Sequence, residues 1–420
     1  MTAQATHDES LAALFLARPD RGHWKGWQEW RASRGSFSPA PRLSLEEYCA
    51  LSPQKRFEYD FHRIATHANL RLQETPMSRK LYEVIFDRLL GNATITSPGT
   101  RDGLMISGEP TYGKTETTCW AAADFEGIWR THYARFVPGP APGTRDNYAP
   151  VAYCKVPPKA TPKCLCQVIL DIYDDRHPGT QNNMLRAVRD TIRDHRTNTL
   201  IIDDITRLNM DRKDDQDTLD VIRSLMDLGT TLVLVGFDIP KSGLLRGARR
   251  DPVTKQYVFP TGRSHAESAS AQTGLRFDLV NIEPFRYSAV GSDTSFAEHL
   301  AGIEDQLRLL KATEGMLTGG DMPAYLHEHT HGSVGLLRRL IDDGCKRAMR
   351  TREERLTRDL LAGIRISVES LGDLDPESGE IPPALRQNPE AEPQKPRSKK
   401  KPKPRNTVLD DHGTPVDADA

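Results

Sequence analysis

The chain has 420 residues, in which 57 Lys and Arg are balanced by 58 Asp and Glu, so that its net charge is −1. A near-neutral chain has no global basic field for nucleic acid, and any such binding has to come from local patches. No apolar run approaches the roughly 20 residues that a membrane span needs, and the six cysteines show no disulfide-framework spacing. We therefore expect a cytoplasmic protein, without a membrane partner, that has one main domain and smaller attachments.

Residues 1–95 predict a helical N-terminal extension. Three tryptophans recur three residues apart, which places them on one face of a helix: Trp24, Trp27 and Trp30. Such a stripe favours packing against another element, and stacking on nucleic-acid bases is the alternative. Further along, Thr75 and Pro76 are typical of a helix start, and we expect that helix to end near Gly91.

Residues 96–288 alternate short apolar runs with helical patterns. The runs occupy 104–107, 151–156, 199–203, 231–236 and 278–282. Near-continuous apolar runs that are separated by helices indicate a parallel sheet covered on both faces. This part of the chain is therefore predicted to be an α/β domain.

Residues 289–370 predict a small helical lid, and the composition changes after them. In residues 371–420 Pro, Glu and Lys dominate, which predicts a disordered tail. Within it, the stretch "KPRSKKKPKPR" (395–405) carries seven basic residues and no acid. This stretch could bind DNA loosely or dock a protein, although a charge run is usually only solvated.

The first apolar run of the α/β domain leads into a segment with the pattern G-x-x-x-x-G-K-[ST] of a phosphate-binding loop. Its residues are Gly108, Glu109, Pro110, Thr111, Tyr112, Gly113, Lys114 and Thr115. The two glycines let backbone amides point at phosphates, and the helix that follows adds its positive N-terminal end. We expect Lys114 to reach the β- and γ-phosphates of ATP and Thr115 to hold Mg²⁺.

Two aspartates stand at the end of the apolar run 199–203. Asp203 suits a magnesium-bound water, and Asp204 stands where a base or water-orienting group would polarise the attacking water. Paired carboxylates at a strand end are more often a solvated turn. Their place downstream of a phosphate-binding loop favours a functional pair.

In residues 70–350 the order of motifs resembles that of the AAA+ ATPases of transposition, the TniB/TnsC family related to the MuB target-selection protein. The motifs are "LMISGEPTYGKT", "PVAYCKVPPKATPK", "LIIDDITRL", "LVLVGFDIP", "GLRFDLVNIEPF" and "HGSVGLLRRLI". The resemblance implies an AAA+ core with a five-stranded parallel sheet and a lid, with ATP and Mg²⁺ as cofactors. It also implies a homo-oligomer, ring or filament, on double-stranded target DNA that recruits a DDE-type transposase.

By the same resemblance, Arg276 in "GLRFD" matches the arginine that enters a neighbouring subunit's site as an arginine finger. A guanidinium suits this role because it is permanently charged and forked toward phosphate oxygens. An ion pair with a nearby carboxylate such as Asp278 is the alternative. Arg249 and Arg250 compete for the same role.

Three positions depart from the family's pattern or leave it open. Asp204 stands where the family has Glu and is shorter by one methylene, so we predict slow hydrolysis and a long-lived ATP state. Gly335 occupies the place of a phosphate-sensing Arg in many AAA+ lids, for which Arg338 or Arg339 is the alternative. Asp238 is the nearest polar side chain for the sensor expected after "LVLVG".

The candidate DNA contacts are basic residues in two loops, besides the tail. Lys159 and Lys163 follow the second apolar run, in the region that faces the central channel in the resembling family. Arg249 and Arg250 belong to the second basic stretch. Few contacts per subunit suffice for non-specific binding, because phosphate neutralisation repeats along a polymer.

Two other functions stay open at this point. One is an AAA+ switch of another DNA-related or defence system, similar to origin loaders. The other is a zinc metallopeptidase, because His327, Glu328 and His331 spell the pattern H-E-x-x-H. Gly332 follows where the zinc-binding helix would continue, and this makes the second alternative the weaker one.

Overall fold

The computed structural model describes residues 12, 14–15, 18–71, 73–137, 148–208, 215–242, 249–250, 257–258, 276–287 and 294–366. Within these ranges, no helix combines the length and the apolar character that a bilayer span requires. The tail predicted for 371–420 lies outside the described residues.

Five strands form one sheet, and each arises from one of the predicted apolar runs. They are β1 (Gly103–Ser107), β2 (Val151–Lys155), β3 (Thr199–Asp203), β4 (Thr231–Gly236) and β7 (Phe277–Asn281). All pair in parallel, in the order β2-β3-β4-β1-β7. The three inner strands are buried along their whole length, as expected for a sheet that helices cover on both faces. The predicted P-loop AAA+ fold with a five-stranded parallel sheet is confirmed.

Helices precede the first strand of this sheet, connect its strands and follow its last strand along the chain. They are α1 (Trp24–Ser33), α2 (Leu45–Ala50), α3 (Pro53–Ala68), α4 (Pro76–Ala93), α5 (Lys114–Phe136), α6 (Pro162–Asp171), α7 (Gln181–Asp194), α8 (Asp215–Met226), α9 (Ser295–Gln306), α10 (Met322–Thr330), α11 (Val334–Thr351) and α12 (Arg358–Ala362). Short 3-10 helices cover Ile205–Arg207 and Ile239–Lys241, and β5 (Arg249–Arg250) pairs antiparallel with β6 (Tyr257–Val258).

Helix α4 begins where the sequence predicts a start. The Thr75 side chain accepts a hydrogen bond from the Ser78 amide at 3.1 Å, and Pro76 occupies the first turn, where its missing N–H costs nothing. The helix runs just past the predicted end at Gly91 and packs along α5.

The sheet separates two apolar cores, because successive side chains of a strand point to opposite faces. Ile201 packs on the face that α1, α4 and α5 cover, whereas Leu200 and Ile202 pack on the face of α6, α7 and α8. A third core, built around Phe296 and Leu340, belongs to the helical lid.

The N-terminal helices divide between the α/β core and the lid. On α1, Trp27 is buried, and its indole N–H donates to the Glu126 carboxylate of α5 at 2.6 Å. The tryptophan stripe therefore packs against the core, and Trp27 is not exposed for stacking on a base. On α3, the buried Arg63 forms an ion pair with Glu354 of the lid at 2.7 Å. The extension thus contacts both the α/β domain and the lid.

Candidate nucleotide site

The phosphate-binding loop lies between the end of β1 and the start of α5, and its two glycines are needed for different reasons. Gly113 precedes α5 with φ +85°, a left-handed conformation that favours glycine. A Cβ on Gly108 would lie 3.0 Å from the backbone oxygen of Ile282, so this position leaves little room for a side chain. Backbone shape therefore accounts for both glycines of the motif.

The Lys114 ammonium folds back onto the loop. Its Nζ donates to the carbonyl oxygens of Gly108 at 2.7 Å and Glu109 at 2.6 Å. Burial lowers the pKa of Lys114, and the nearby charges of Asp203 and Asp204 oppose that shift. These hydrogen bonds hold the ammonium at the mouth of the loop, where we expect phosphate oxygens to replace the two carbonyls.

Asp203 ends β3 on the same edge of the sheet as the phosphate-binding loop, because parallel strands share their carboxyl ends. Its Oδ2 accepts hydrogen bonds from the Thr115 hydroxyl at 3.0 Å and from the Tyr153 hydroxyl at 2.8 Å. Its Oδ1 accepts from the Asp204 amide at 2.9 Å. The predicted neighbours Thr115 and Asp203 are thus brought together.

The oxygen ligands of this pair fit Mg²⁺, a hard cation that prefers hydroxyl, carboxylate and water oxygens. Thr115 and Asp203 would hold it, directly or through water. When bound, Mg²⁺ neutralises charge on the β- and γ-phosphates.

Sequence reasoning missed Tyr153, the second donor to Asp203. It lies on β2, which pairs with β3, and burial followed by the charge of Asp203 raises the pKa of its hydroxyl. The hydroxyl therefore stays protonated and donates. The signal that could have found it is a polar hydroxyl within the apolar run "VAYCKV" on the strand beside Asp203.

Asp204 has a different environment from Asp203. Its backbone is left-handed, with φ +55°, a conformation that Asp tolerates better than most residues. Its Oδ2 lies 2.9 Å from the Arg207 guanidinium and 3.2 Å from the Lys155 ammonium. The carboxylate predicted to polarise water thus forms ion pairs with two cations.

The site opens into a cleft of about 310 Å³. The cleft is lined by Pro110, Thr111, Gly113, Lys114, Thr115, Glu116, Asp203, Asp204 and Phe237. A larger hollow of about 490 Å³ lies at the opposite edge of the sheet, beside the residues that precede β3 and β4. No residue of the phosphate-binding loop lines that hollow, so we assign the nucleotide to the smaller cleft.

The lid touches the phosphate-binding loop through the first turn of α11. The Gly335 amide donates to the Thr111 carbonyl at 2.8 Å, and the hydroxyls of Thr111 and Ser333 are 2.6 Å apart. A Cβ on Gly335 would lie 2.7 Å from the Thr111 Cβ. The position at which a sensor arginine was expected therefore has no room for a side chain, because its backbone lies too close to the loop.

The two alternative sensor arginines contact other parts of the molecule. Arg338 donates to the Ala68 carbonyl at 2.9 Å, and Arg339 donates to the Ile366 carbonyl at 3.3 Å. Neither contact involves the phosphate-binding loop. Asp238 has a left-handed backbone, with φ +41°, at the start of the second 3-10 helix, and its proposed sensor role stays a prediction.

Arg276 lies beside the amino-terminal ends of the strands, whereas the phosphate-binding loop lies at their carboxyl ends. Its carbonyl accepts from the Gly103 amide at the start of β1, whereas the loop follows the other end of that strand. A five-residue strand spans about 16 Å, so Arg276 cannot act in its own site. Its guanidinium lies 3.7 Å from Asp227. The alternative partner, Asp278, forms an ion pair with Arg88 instead.

The candidate DNA contacts have different settings. Lys159 is exposed and left-handed, with φ +56°, in the loop after β2. Lys163 is exposed in the first turn of α6 and donates to the Gly179 carbonyl at 3.0 Å. Arg249 and Arg250 form β5, and the structure describes only their backbone. A role in DNA binding stays a prediction for all four residues.

The H-E-x-x-H pattern does not form a zinc site. Helix α10 ends at Thr330, and His331 follows it with a left-handed φ of +49°, so the two histidines are not on one helical face. The His327 Nε2–H donates to the Phe285 carbonyl at 2.9 Å, which occupies the nitrogen that would bind a metal. Among the described residues, no three His, Cys, Asp or Glu side chains are grouped to hold a metal ion.

Comparison with known proteins gives one family match. Residues 98–238 match the family model described as an AAA domain. The comparison with curated proteins found no match. Together with the P-loop fold, the domain match shows that the protein is an ATPase that uses ATP and Mg²⁺.

Several solved structures are similar at low identity. The chain is 16% identical to Cdc6p from Pyrobaculum aerophilum, with a TM-score of 0.45 over 74% of each chain. It is 14% identical to the Aeropyrum pernix ORC2 protein in ADPNP–ADP complexes, with a TM-score of 0.42 over 79% of this chain and 70% of that one. It is 16% identical to the Aeropyrum pernix ORC1 protein in complex with DNA, with a TM-score of 0.41 over 68% of this chain and 63% of that one. Similarities at this level contribute nothing to the assignment of function.

Proposed function

We propose that this ATPase is a slow ATP-dependent switch that oligomerises on double-stranded target DNA and recruits or activates a DDE-type transposase. ATP and Mg²⁺ bind at Lys114, Thr115 and Asp203 of one subunit, and Arg276 of the next subunit completes the site. The transposition role is supported by the order of motifs that resembles the TniB/TnsC family.

The observation that carries the proposal is the position of Arg276. An arginine at the amino-terminal ends of the strands, opposite to its own phosphate-binding loop, can serve a nucleotide only in another copy of the chain. Head-to-tail contacts of this kind generate rings or filaments. A site completed by a neighbour makes ATP binding and assembly interdependent, which is the property that a switch requires.

The geometry of Asp204 supports the slow character of the switch. A general base contributes most when it is free to accept a proton from the attacking water. The Asp204 carboxylate is instead engaged by Arg207 and Lys155. We therefore expect a long-lived ATP state, and we expect DNA or the protein partner to stimulate hydrolysis.

DNA would be held by basic side chains that repeat from subunit to subunit. Lys159 and Lys163 flank the start of α6 with exposed side chains, and Arg249 and Arg250 occupy a separate strand. Because each contact releases counterions, the affinity of the assembly is expected to fall steeply with salt.

The proposal is tested with the fluorescence anisotropy of a labelled random-sequence duplex. The duplex is titrated with protein under ATP, ADP and a non-hydrolysable ATP analogue, at two salt concentrations. We expect cooperative binding with ATP and the analogue, weak binding with ADP, and no ATP response in the Lys114→Ala variant. Binding that is absent, or equal in all nucleotides, would contradict the proposal and would favour an ATPase directed at a protein partner alone.

Recruitment is tested separately on the assembled complex. A candidate DDE-type transposase should co-sediment with the DNA-bound protein in ATP and not in ADP. The Lys114→Ala variant should fail to retain it. Equal retention in ATP and ADP would remove transposase recruitment from the proposal, even if DNA binding depends on ATP.

A further inference from the structure

We infer that Tyr153 is a positioning residue for the metal-binding carboxylate of Asp203, and that Arg21 and helix α1 hold Tyr153 in place. The segment before the AAA domain would then set how tightly the site binds Mg²⁺ with ATP. This inference rests on the proposed role of Asp203 in the nucleotide site.

The first step is the hydrogen bond between the two side chains. The Tyr153 hydroxyl donates to Asp203 Oδ2 at 2.8 Å, and that oxygen also accepts from the Thr115 hydroxyl at 3.0 Å. If the Thr115 oxygen held Mg²⁺ instead, the Tyr153 hydroxyl would still donate to Oδ2 and orient it. Partners of this kind orient metal-binding carboxylates, and their loss weakens metal affinity.

The second step is the support of the Tyr153 ring by the N-terminal extension. The Trp27 ring of α1 stacks on it, with the centroids 6.3 Å apart and an interplanar angle of 16°. The Arg21 guanidinium lies 5.6 Å from the Tyr153 ring centroid and 5.1 Å from the Trp30 ring centroid. The tyrosine ring therefore contacts both α1 and the chain just before it.

The third step links Arg21 to the magnesium site by a second route. Its guanidinium lies 3.0 Å from the Glu116 carboxylate in the first turn of α5. Glu116 directly follows Thr115, the expected magnesium ligand. Arg21 therefore contacts both sides of the site, the Tyr153 ring on β2 and the first turn of α5.

The fourth step is the anchoring of α1 itself. The Trp27 indole and the Gln28 amide donate to the two carboxylate oxygens of Glu126, at 2.6 and 2.7 Å. Glu126 is fully buried on α5, so α1 is attached to the helix that starts at the phosphate-binding loop. Because α1 lies outside residues 98–238 that match the AAA domain, this connection is an addition to that domain.

Tyr153→Phe tests the inference, because it removes the hydroxyl and keeps the ring. We expect the Mg²⁺ concentration for half-maximal binding of a fluorescent ATP analogue to rise roughly ten- to 100-fold. Binding of the analogue in EDTA should be unchanged. The matched control is Tyr173→Phe, which loses a buried hydrogen bond to Thr197 at 2.7 Å on the other face of the sheet. The control should keep the wild-type Mg²⁺ titration.

The contribution of the N-terminal extension is tested with Arg21→Gln. This variant should shift the Mg²⁺ titration in the same direction as Tyr153→Phe, and the double variant should shift less than the sum of the two changes. Lys25→Gln, which removes an exposed cation of α1 that lies 5.4 Å from the Trp24 ring centroid, is the control and should keep the wild-type titration. A wild-type titration for Arg21→Gln would overturn the role of the extension.

Asp203→Asn separates a failure of the inference from a failure of the proposed site. If Asp203→Asn leaves the Mg²⁺ titration unchanged, the site assignment itself is wrong. If Asp203→Asn shifts the titration and Tyr153→Phe does not, Asp203 binds the metal without help from Tyr153, and the inference is overturned. Circular dichroism of each variant checks that the fold is retained.

Discussion

The two aspartates at the end of β3 differ although they are adjacent in the chain. Asp203 is buried and accepts three hydrogen bonds, whereas Asp204 turns to Arg207 and Lys155. The left-handed backbone conformation of Asp204 directs its side chain away from the environment of Asp203. In the proposed site, this division would give the metal to Asp203 and leave the attacking water to Asp204.

Asp204→Glu tests whether the short, paired carboxylate limits hydrolysis. A longer side chain should reach closer to the attacking water, and we expect the rate at saturating ATP to rise about tenfold, a barrier change of about 1.4 kcal/mol. The exposed Asp190→Glu serves as the control and should leave the rate unchanged. A rate that stays the same or falls would show that the length of this side chain is not limiting.

A buried histidine predicts how stability depends on pH. His67 is fully buried and accepts a hydrogen bond from the Arg308 amide at 2.9 Å, and burial followed by the charge of Arg63 lowers its pKa from 6.5 to about 3. Between these two values the unfolded chain takes up a proton that the folded chain does not. Stability is therefore lost as the pH falls below 6.5, by about 1.4 kcal/mol per pH unit.

The expected change is a flatter pH dependence in His67→Gln, whose amide oxygen can accept the same hydrogen bond. The free energy of unfolding, measured by urea denaturation from pH 6 to pH 4.5, should vary less steeply than in the wild type. His299→Gln should act in the same direction, because burial lowers the pKa of His299 to about 4. A wild-type slope in His67→Gln would show that this histidine is protonated in the folded protein.

The residue scale also shows what sequence can and cannot predict. The phosphate-binding loop and Asp203 were visible because each is a local pattern tied to a strand end. Tyr153 was not, because its role depends on β2 lying beside β3 in a register that places its hydroxyl near Asp203. Arg276 forms an ion pair with a carboxylate, as the alternative had it, but the partner is Asp227 and not Asp278, because Asp227 comes close only after folding.

At the scale of elements, the lid meets the phosphate-binding loop through a backbone hydrogen bond between Gly335 and Thr111. Gly335→Ala would place a Cβ 2.7 Å from the Thr111 Cβ, so the first turn of α11 has to move away. Overpacking of this kind typically costs about 1–3 kcal/mol, and we expect a lower melting temperature by circular dichroism. The control is Gly91→Ala on α4, where a Cβ meets nothing within 4 Å and the melting temperature should hold or rise. Equal melting temperatures for the two variants would contradict the close approach of Gly335 to Thr111.

The strands were predicted more accurately than the packing of the helices. Each apolar run became a strand within one residue of its predicted limits, and four of the five strands are largely buried in the sheet. The N-terminal extension was predicted to be helical, but its two attachments were not predicted. Trp27 meets Glu126, and Arg63 meets Glu354, and no local pattern encodes partners so distant in the chain.

At the scale of the whole molecule, the basic tail gives a separate prediction. Deletion of residues 371–420 should reduce the slope of log affinity against log salt concentration for DNA, because each lost phosphate contact removes released counterions. The measurement is duplex anisotropy in ATP at several salt concentrations. A version that keeps the tail but replaces the basic residues of 395–405 by Gln is the matched variant. If the slope is unchanged in both the deletion and the Gln variant, the tail does not contact DNA.

In the proposed assembly Arg276 would serve a neighbouring subunit, because it lies too far from its own phosphate-binding loop to act there. Such an arrangement makes the isolated subunit incomplete. It would also allow a near-neutral chain to bind DNA, because a polymer multiplies a few local contacts. The central claim is therefore that one subunit's Arg276 serves the nucleotide of the next.

The most direct test is DNA-stimulated ATP hydrolysis by mixtures of Lys114→Ala and Arg276→Ala subunits. Each variant alone should be inactive, one because it cannot bind the phosphates and the other because no arginine reaches them. In an equal random mixture about a quarter of the head-to-tail contacts join an intact loop to an intact Arg276, and hydrolysis should recover to about that fraction. If no ratio of the two variants restores hydrolysis, Arg276 does not act across the subunit contact, and the account is contradicted.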